Sequence, residues 1–192
     1  MEKKLTETVA AVQAAQPTAT VEVWCQDEGR IGLKPIVRRV WVKRGSRPRA
    51  INHHRYEWLY AYSFVHPVSG RTWWLILPTV RTDVMSLALR EFAQAHGVGA
   101  EKQVVLVLDG AGWHTSGKLE VPKGLHLFLL PSHTPELQPA ERLWPLLHEP
   151  VVNRPFDDLA ALQTVLVARC AHLTTQQTTV KGLTNYHWWP QQ

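Results

Sequence analysis

Three stretches of the sequence place carboxylates where apolar segments run out. In VLVLDGAGWH the apolar run Val104–Leu108 meets Asp109, and Gly110, Gly112 and His114 follow. A buried charge without a partner is expensive, so Asp109 calls for a cation, a nest of hydrogen bonds or water at that strand end. In CQDEGRIGL, Asp27 follows the apolar stretch VEVWC. In LPSHTPELQPAERLW, Pro139 suits the first turn of a helix, because its fixed φ and missing N–H do no harm there. Glu141 would lie in that first turn, favoured by the helix dipole, whereas Glu136 precedes the helix and is less firmly held. Three carboxylates on rigid elements could hold one or two Mg²⁺ ions, which take hard oxygen ligands and keep positions open for water and phosphate. Two such ions about 3.5–4 Å apart could hold the attacking and leaving oxygens of an in-line displacement at phosphorus. The glycines beside Asp109 would let a phosphate approach the backbone closely.

Each residue also has an ordinary reading. Asp27 could be a turn acid paired with Arg30, Asp109 a plain Asp-Gly turn residue, Glu141 a helix-capping charge and His114 a loop histidine. The chemistry rests on the set, in order, at the ends of elements.

Those elements can be read from periodicity. Residues 3–16 form a short helix stopped by Pro17. Residues 21–26 form a strand ending at Asp27. A basic stretch follows, in which Val40, Trp41 and Val42 suggest a short strand. Residues 57–66 and 71–78 flank the turn PVSG as an antiparallel hairpin. The spacing of Val84, Leu87, Ala88 and Phe92 predicts a helix over 82–96, capped by Thr82 or Asp83 and stopped by Gly97. Residues 103–108 and 125–130 read as strands, the first apolar enough to be buried on both faces. Residues 156–172 read as an amphipathic helix capped by Asp157 or Asp158. This order describes an α/β domain, a mixed sheet flanked by helices, whose chemistry should collect at the carboxyl ends of its strands. If the strands leading to Asp27 and Asp109 are parallel neighbours, both acids face one crevice.

A chain of 192 residues is long enough for a full hydrophobic core. Its hydrophobic content of 45% against 19% charged residues excludes a disordered protein. The net charge of +5 leans toward a polyanionic partner. Cys25 and Cys170 have no CxxC or Cys/His spacing, so neither a zinc site nor a disulfide framework is expected, and a reduced cytosolic setting is the default. No apolar run approaches the roughly 20 residues needed to span a bilayer, and no signal peptide is evident.

CQDEGRIGL, LVLDGAGWH and LPSHTPELQPAERLW resemble, in order, the three catalytic motifs of the insertion-sequence branch of the mariner superfamily of DDE transposases. The resemblance covers residues 21–160, and the Pro-Glu-Leu-x-Pro-x-Glu-Arg-Leu-Trp string is its most specific part. It implies a ribonuclease H-like fold, with Asp27, Asp109 and Glu141 as the metal-binding catalytic triad and Glu136 a motif residue outside it. Gly110 stands where many relatives have asparagine, and Ser132 and His133 where a proline-tyrosine pair is common. Pro145 follows Pro139 closely and could kink the helix carrying Glu141. The implied domains are an arm at 1–20, a catalytic domain at 21–175 and a tail at 176–192. Relatives carry helix-turn-helix domains ahead of the catalytic domain. The short arm here suggests an end-binding half made separately, a truncated chain or a gene remnant.

The resemblance further implies a Mg²⁺-dependent enzyme, with Mn²⁺ able to substitute and two ions present on DNA. It would cut double-stranded DNA at transposon ends and join a freed 3′-hydroxyl to a TA target. A homodimer acting on paired ends, cytoplasmic and nucleoid-associated when on DNA, is implied too. Arg30, Lys34, Arg38, Arg39, Lys43, Arg44, Arg47 and Arg49 follow the first acid and could track phosphates, with Arg142 near the third. His114 could touch the scissile phosphate or orient a carboxylate. Trp41 and His53 could stack on frayed bases, although core packing is the plainer role for Trp41. The aromatic tail NYHWWPQQ could pack inward or form an interface. Two other readings remain open. One is a ribonuclease H-like nuclease or resolvase that cuts without strand transfer. The other is an inactive or domesticated DNA-binding remnant.

Overall fold

A computed structural model describes residues 1–47, 49, 55–131 and 134–190. Helix α1 (Glu2–Ala15) precedes β1 (Thr20–Gly32), β2 (Trp58–His66) and β3 (Arg71–Leu77). Then come α2 (Thr82–Ala95), β4 (Lys102–Leu108), the single turn α3 (Gly112–Thr115) and β5 (Leu125–Leu129). Two 3₁₀ turns, Pro135–Leu137 and Pro139–Leu143, lead into α4 (Trp144–His148), α5 (Leu159–Thr175) and α6 (Gln177–Thr184). The five strands form one sheet in the order β3-β2-β1-β4-β5. β2 pairs antiparallel with β1 and β3, while β4 pairs parallel with β1 and β5.

Side chains alternate across the pleat, so each central strand feeds two cores. Val21, Val23 and Cys25 of β1, with Val105 and Val107 of β4, face Leu5, Val9 and Val12 of α1 and Val180 of α6. Trp24 of β1, with Val104, Leu106 and Leu108 of β4, faces Met85, Ala88, Leu89 and Phe92 of α2. A third cluster joins Ile31 and Leu33 to Leu162, Leu166 and Leu173 of α5. Trp189 is buried beside α1 and α6, so the aromatic tail packs inward.

Several local expectations change. β1 does not stop at Asp27. Its parallel ladder with β4 ends at Cys25↔Val107, but its antiparallel ladder with β2 continues through Asp27↔Ser63 to Gly32↔Trp58. One edge of the strand has lost its neighbour while the other keeps pairing. Residues 40–42 form no strand, and Trp41 is fully exposed rather than packed in a core. Neither Thr82 nor Asp83 caps α2: Arg81 occupies the cap position, and its guanidinium pairs with Asp83 at 2.9 Å. Glu141 sits in a 3₁₀ turn, not in the first turn of an α-helix. Pro145 opens α4 instead of kinking a longer helix. Asp158 does cap α5, accepting the Ala161 N–H at 2.8 Å. Helix α6 forms within the segment 176–192, expected from the sequence only as a tail. Ser132, His133 and His53 lie outside the described residues.

Candidate active site

Asp27 stands within β1 just past the point where β4 stops pairing with it, and Asp109 directly follows β4. Glu141 comes from the 3₁₀ turn Pro139–Leu143, whose Ala140 and Leu143 are sunk in the core under β1. All three side chains line one cavity of about 340 Å³, shared with Gly110, Ala111, Leu130, Pro131, Thr134, Pro135 and Gln138. Glu136 is not among the lining residues. The floor is tied down by buried Gln138, whose Nε2 donates to the Gln26 carbonyl at 2.9 Å.

Asp27 is the most enclosed of these three acids, at 8% exposure. Its Oδ1 accepts the Glu28 backbone N–H at 2.9 Å, and its Oδ2 accepts the indole N–H of Trp144 at 2.9 Å. Burial, then the negative charges of Glu141 and Glu28, push its carboxyl up to about 8 against those two donors. Glu141 is raised by burial and by the charge of Asp109, with Trp144 opposing. Asp109 moves the other way. The hydrogen bond from His114 holds it below the ordinary carboxylate value, helped by the Ala111 N–H on Oδ1 at 3.0 Å and opposed by burial. His114 is enclosed, with Nδ1 2.7 Å from Asp109 Oδ1 and Nε2 3.1 Å from Glu28 Oε1. Burial works against charging the ring, but the two carboxylates outweigh it and raise His114 to about 9.

Among the described residues, no three His, Cys, Asp or Glu side chains are drawn close enough together to hold a metal ion as they stand. The donor set nevertheless suits a hard divalent cation. It offers carboxylate oxygens around a half-open cavity, and two of the acids, Asp27 and Glu141, are raised by burial and by neighbouring carboxylates. Asp27, Asp109 and Glu141 are the residues that could hold such an ion.

Residues 22–163 match the family model described as the DDE superfamily endonuclease. The chain belongs to this family. It is also 33% identical over 132 residues to the protein y4pE/y4sA of Sinorhizobium fredii (strain NBRC 101917 / NGR234), a match covering 68% of this chain and 96% of that one. The fold of this chain is ribonuclease H-like and similar to that of Mos1. Against the mariner Mos1 paired end complex with Mg the TM-score is 0.61 at 15% identity, covering 97% of this chain and 59% of that chain. Against the corresponding complex with Mn it is 0.59 at 13% identity, covering 96% and 59%. Against the catalytic domain of Mos1 mariner transposase alone it is 0.52 at 11% identity, covering 94% and 90%. The chain thus spans about three fifths of the length of the Mos1 chains in those complexes.

Among the described residues, no lysine or arginine lines this cavity. Arg30 lies over the Trp58 ring at 5.0 Å and Lys34 over Tyr56 at 5.9 Å. Arg38 pairs with Glu149 at 3.0 Å, and Asn153 clamps its backbone from both sides. Arg39, Lys43, Arg44, Arg47 and Arg49 are exposed on an irregular arm. Arg142 is exposed, donating Nε–H to the Tyr186 hydroxyl at 2.9 Å. Sequence reasoning missed Glu28, Trp144 and Gly29. The indole of Trp144 lies so close on Gly29 that a Cβ there would sit 2.8 Å from it. Strand alternation past Asp27 would have pointed to Glu28. The position of Trp144 one turn beyond Glu141 was the signal for the other two.

Proposed function

We propose that this chain is the catalytic part of a DNA transposase that cuts double-stranded DNA at transposon ends and joins the freed 3′ end to a TA target. Asp27, Asp109 and Glu141 serve as its divalent-ion ligands. The observation that carries this reading is the shared cavity: three acids from distant segments line one opening beside the carboxyl end of a parallel strand pair. Membership of the DDE superfamily endonuclease family and the Mos1-like fold support it. Mos1 has been solved with Mg, with Mn and as a strand transfer complex, which supports Mg²⁺ or Mn²⁺, a DNA partner and a paired, dimeric assembly here. The catalytic unit is assigned to residues 21–175, flanked by an arm at 1–20 and a tail at 176–192, with Leu5, Val9 and Val12 of the arm and Val180 and Trp189 of the tail packed on it. End recognition is assigned to a helix-turn-helix module on another segment or chain.

When bound, the ions would supply Lewis-acid stabilisation of the reacting phosphate oxygens. The protein's own part is to hold three negative groups in place. Trp144 and the Glu28 N–H fix Asp27, while Ala111 and His114 fix Asp109. Gly110, on the cavity wall, leaves room for a phosphate beside Asp109. The exposed cations of the 30–49 arm and Arg142 would guide the backbone toward the opening.

The test is Mg²⁺-dependent nicking and end joining on a duplex carrying the element's own end. Asp109→Asn and Glu141→Gln should reduce both reactions to background while thermal unfolding still shows a folded protein. Nicking by Asp109→Asn at the wild-type rate would sink the assignment. Nicking without joining of a pre-cut 3′-hydroxyl end would mark a simple nuclease instead.

A further inference from the structure

β1 carries an acid on each of its faces. Asp27 turns toward the cavity and Trp144, whereas Glu28, the next residue, turns toward α3. The Glu28 side chain is only 4% exposed, and that of His114 is 0%. A carboxylate enclosed to that degree needs donors, and Glu28 has three. Oε1 accepts from Gln26 Nε2 at 3.0 Å and from His114 Nε2 at 3.1 Å, and Oε2 accepts from Trp113 Nε1 at 3.3 Å. Three of its acceptor positions are so engaged, and Glu28 does not line the cavity as an ion ligand would. Its contact with His114 does lead to one. The opposite ring nitrogen of His114 lies 2.7 Å from Asp109 Oδ1, and Asp109 is half-exposed. The chain of contacts runs outward from an enclosed carboxylate, through an enclosed imidazole, to a carboxylate at the rim of the cavity.

We propose that Glu28 and His114 are positioning residues: Glu28 fixes the plane of the imidazole, and the imidazole fixes the Asp109 carboxylate at the ion site. Resting on the function proposed above, this assigns work to two residues that touch neither substrate nor ion. A carboxylate just past a strand end can rotate about its own bonds, and each wrong rotamer is an ion site with one ligand missing. An imidazole held at only one nitrogen could tip away and release it. Holding both nitrogens removes that freedom before an ion arrives, as buried partners do for metal ligands generally. Enclosure of His114 also keeps it from reaching a DNA phosphate.

The experiment is Mn²⁺ titration by calorimetry on the full chain without DNA, with wild type, Glu28→Ala, Glu28→Gln, His114→Ala, the Glu28→Ala/His114→Ala double variant and Asp109→Asn. Glu28→Ala and His114→Ala should each weaken Mn²⁺ binding by about tenfold or more. The double variant should bind no more weakly than His114→Ala alone, because Glu28 acts only through the ring. Glu28→Gln, whose amide oxygen still accepts the ring N–H, should retain most of the affinity. Additive losses in the double variant, or unchanged affinity in both singles while Asp109→Asn loses it, would overturn the relay and leave the triad intact. Wild-type affinity in Asp109→Asn would overturn the ion site itself, and the relay with it. If Glu28→Ala does not fold, nitrogen-resolved NMR of wild type carries the test. Both His114 ring nitrogens should be hydrogen-bonded without metal and should shift on adding Mg²⁺; ring signals indifferent to bound Mg²⁺ would refute the coupling.

Discussion

At the scale of single residues, the site is governed by what each carboxylate accepts. Asp27 relies on the Trp144 indole N–H, and that indole reaches it only because residue 29 has no side chain. Trp144→Phe keeps the ring on Gly29 but removes the donor. Cleavage should fall by about 10–100-fold with little change in unfolding temperature. Gly29→Ala should do at least as much damage by pushing the indole away, and wild-type cleavage in both variants would dismiss the role. The raised carboxyl of Asp27 sets a pH rule. Between its ordinary value of 3.8 and about 8 the folded, ion-free protein holds a proton that the unfolded chain has released. Stability without metal therefore declines as pH rises through that window. An incoming ion must expel the same proton, so Mn²⁺ affinity should climb up to about tenfold per pH unit and level off above about pH 8. Calorimetry at pH 6, 7 and 8 reads this directly, and a flat profile would mean that Asp27 is ionised before the ion binds.

At the scale of elements, the sheet is stapled at the end away from the cavity. Glu22 of β1 accepts from Arg71 of β3 at 2.8 Å, reaching across β2, and from Lys102 at the start of β4 at 3.2 Å. Burial opposes its ionisation, but Trp24, Arg71 and Lys102 together bring its carboxyl down to about 2. This is a depressed carboxylate, so its contribution is whole above 4.5 and is lost as pH falls toward about 2. Glu22→Gln should flatten the acid side of a stability-versus-pH curve in that interval, as followed by urea unfolding. Elements were also where the sequence was most and least informative. The apolar runs of β4 and β5 and the spacing of α2 could be read, because each is set by side-chain period alone. The continuation of β1 past Asp27 could not, because Glu28, Gly29 and Arg30 look like a turn unless the pairing with β2 is known. The 3₁₀ turn under Glu141 also escaped, since Pro139 permits either kind of helical start. Asp27 and Asp109 could be picked out as candidates because each follows a strand's apolar run, and Glu141 because Pro139 marks a helical start beside it. Glu28 and Trp144 were passed over because their importance lies in contacts made across the fold.

At the scale of the whole molecule, charge and exposure separate binding from cutting. The cavity walls carry three acids and, among the described residues, no lysine or arginine, while the exposed cations Arg39, Lys43 and Arg44 stand on an irregular arm outside its lining. If these three residues neutralise three phosphates, DNA affinity should drop roughly fortyfold between about 50 and 200 mM salt. Replacing all three with glutamine should remove most of that dependence while leaving Mn²⁺ binding by the ion-free chain unchanged. A salt response that survives the triple replacement would place the DNA path on another face. The 3₁₀ turn bearing Glu141 rests on a cluster that includes Val180 and Trp189, both of which come after the last acid in the chain. A growing polypeptide therefore displays all three acids before it owns the buttress beneath the third. On the function proposed above, the ability to break DNA would mature after the acids themselves have been made, and a product halted between Glu141 and Val180 would carry the motif on an unsupported turn.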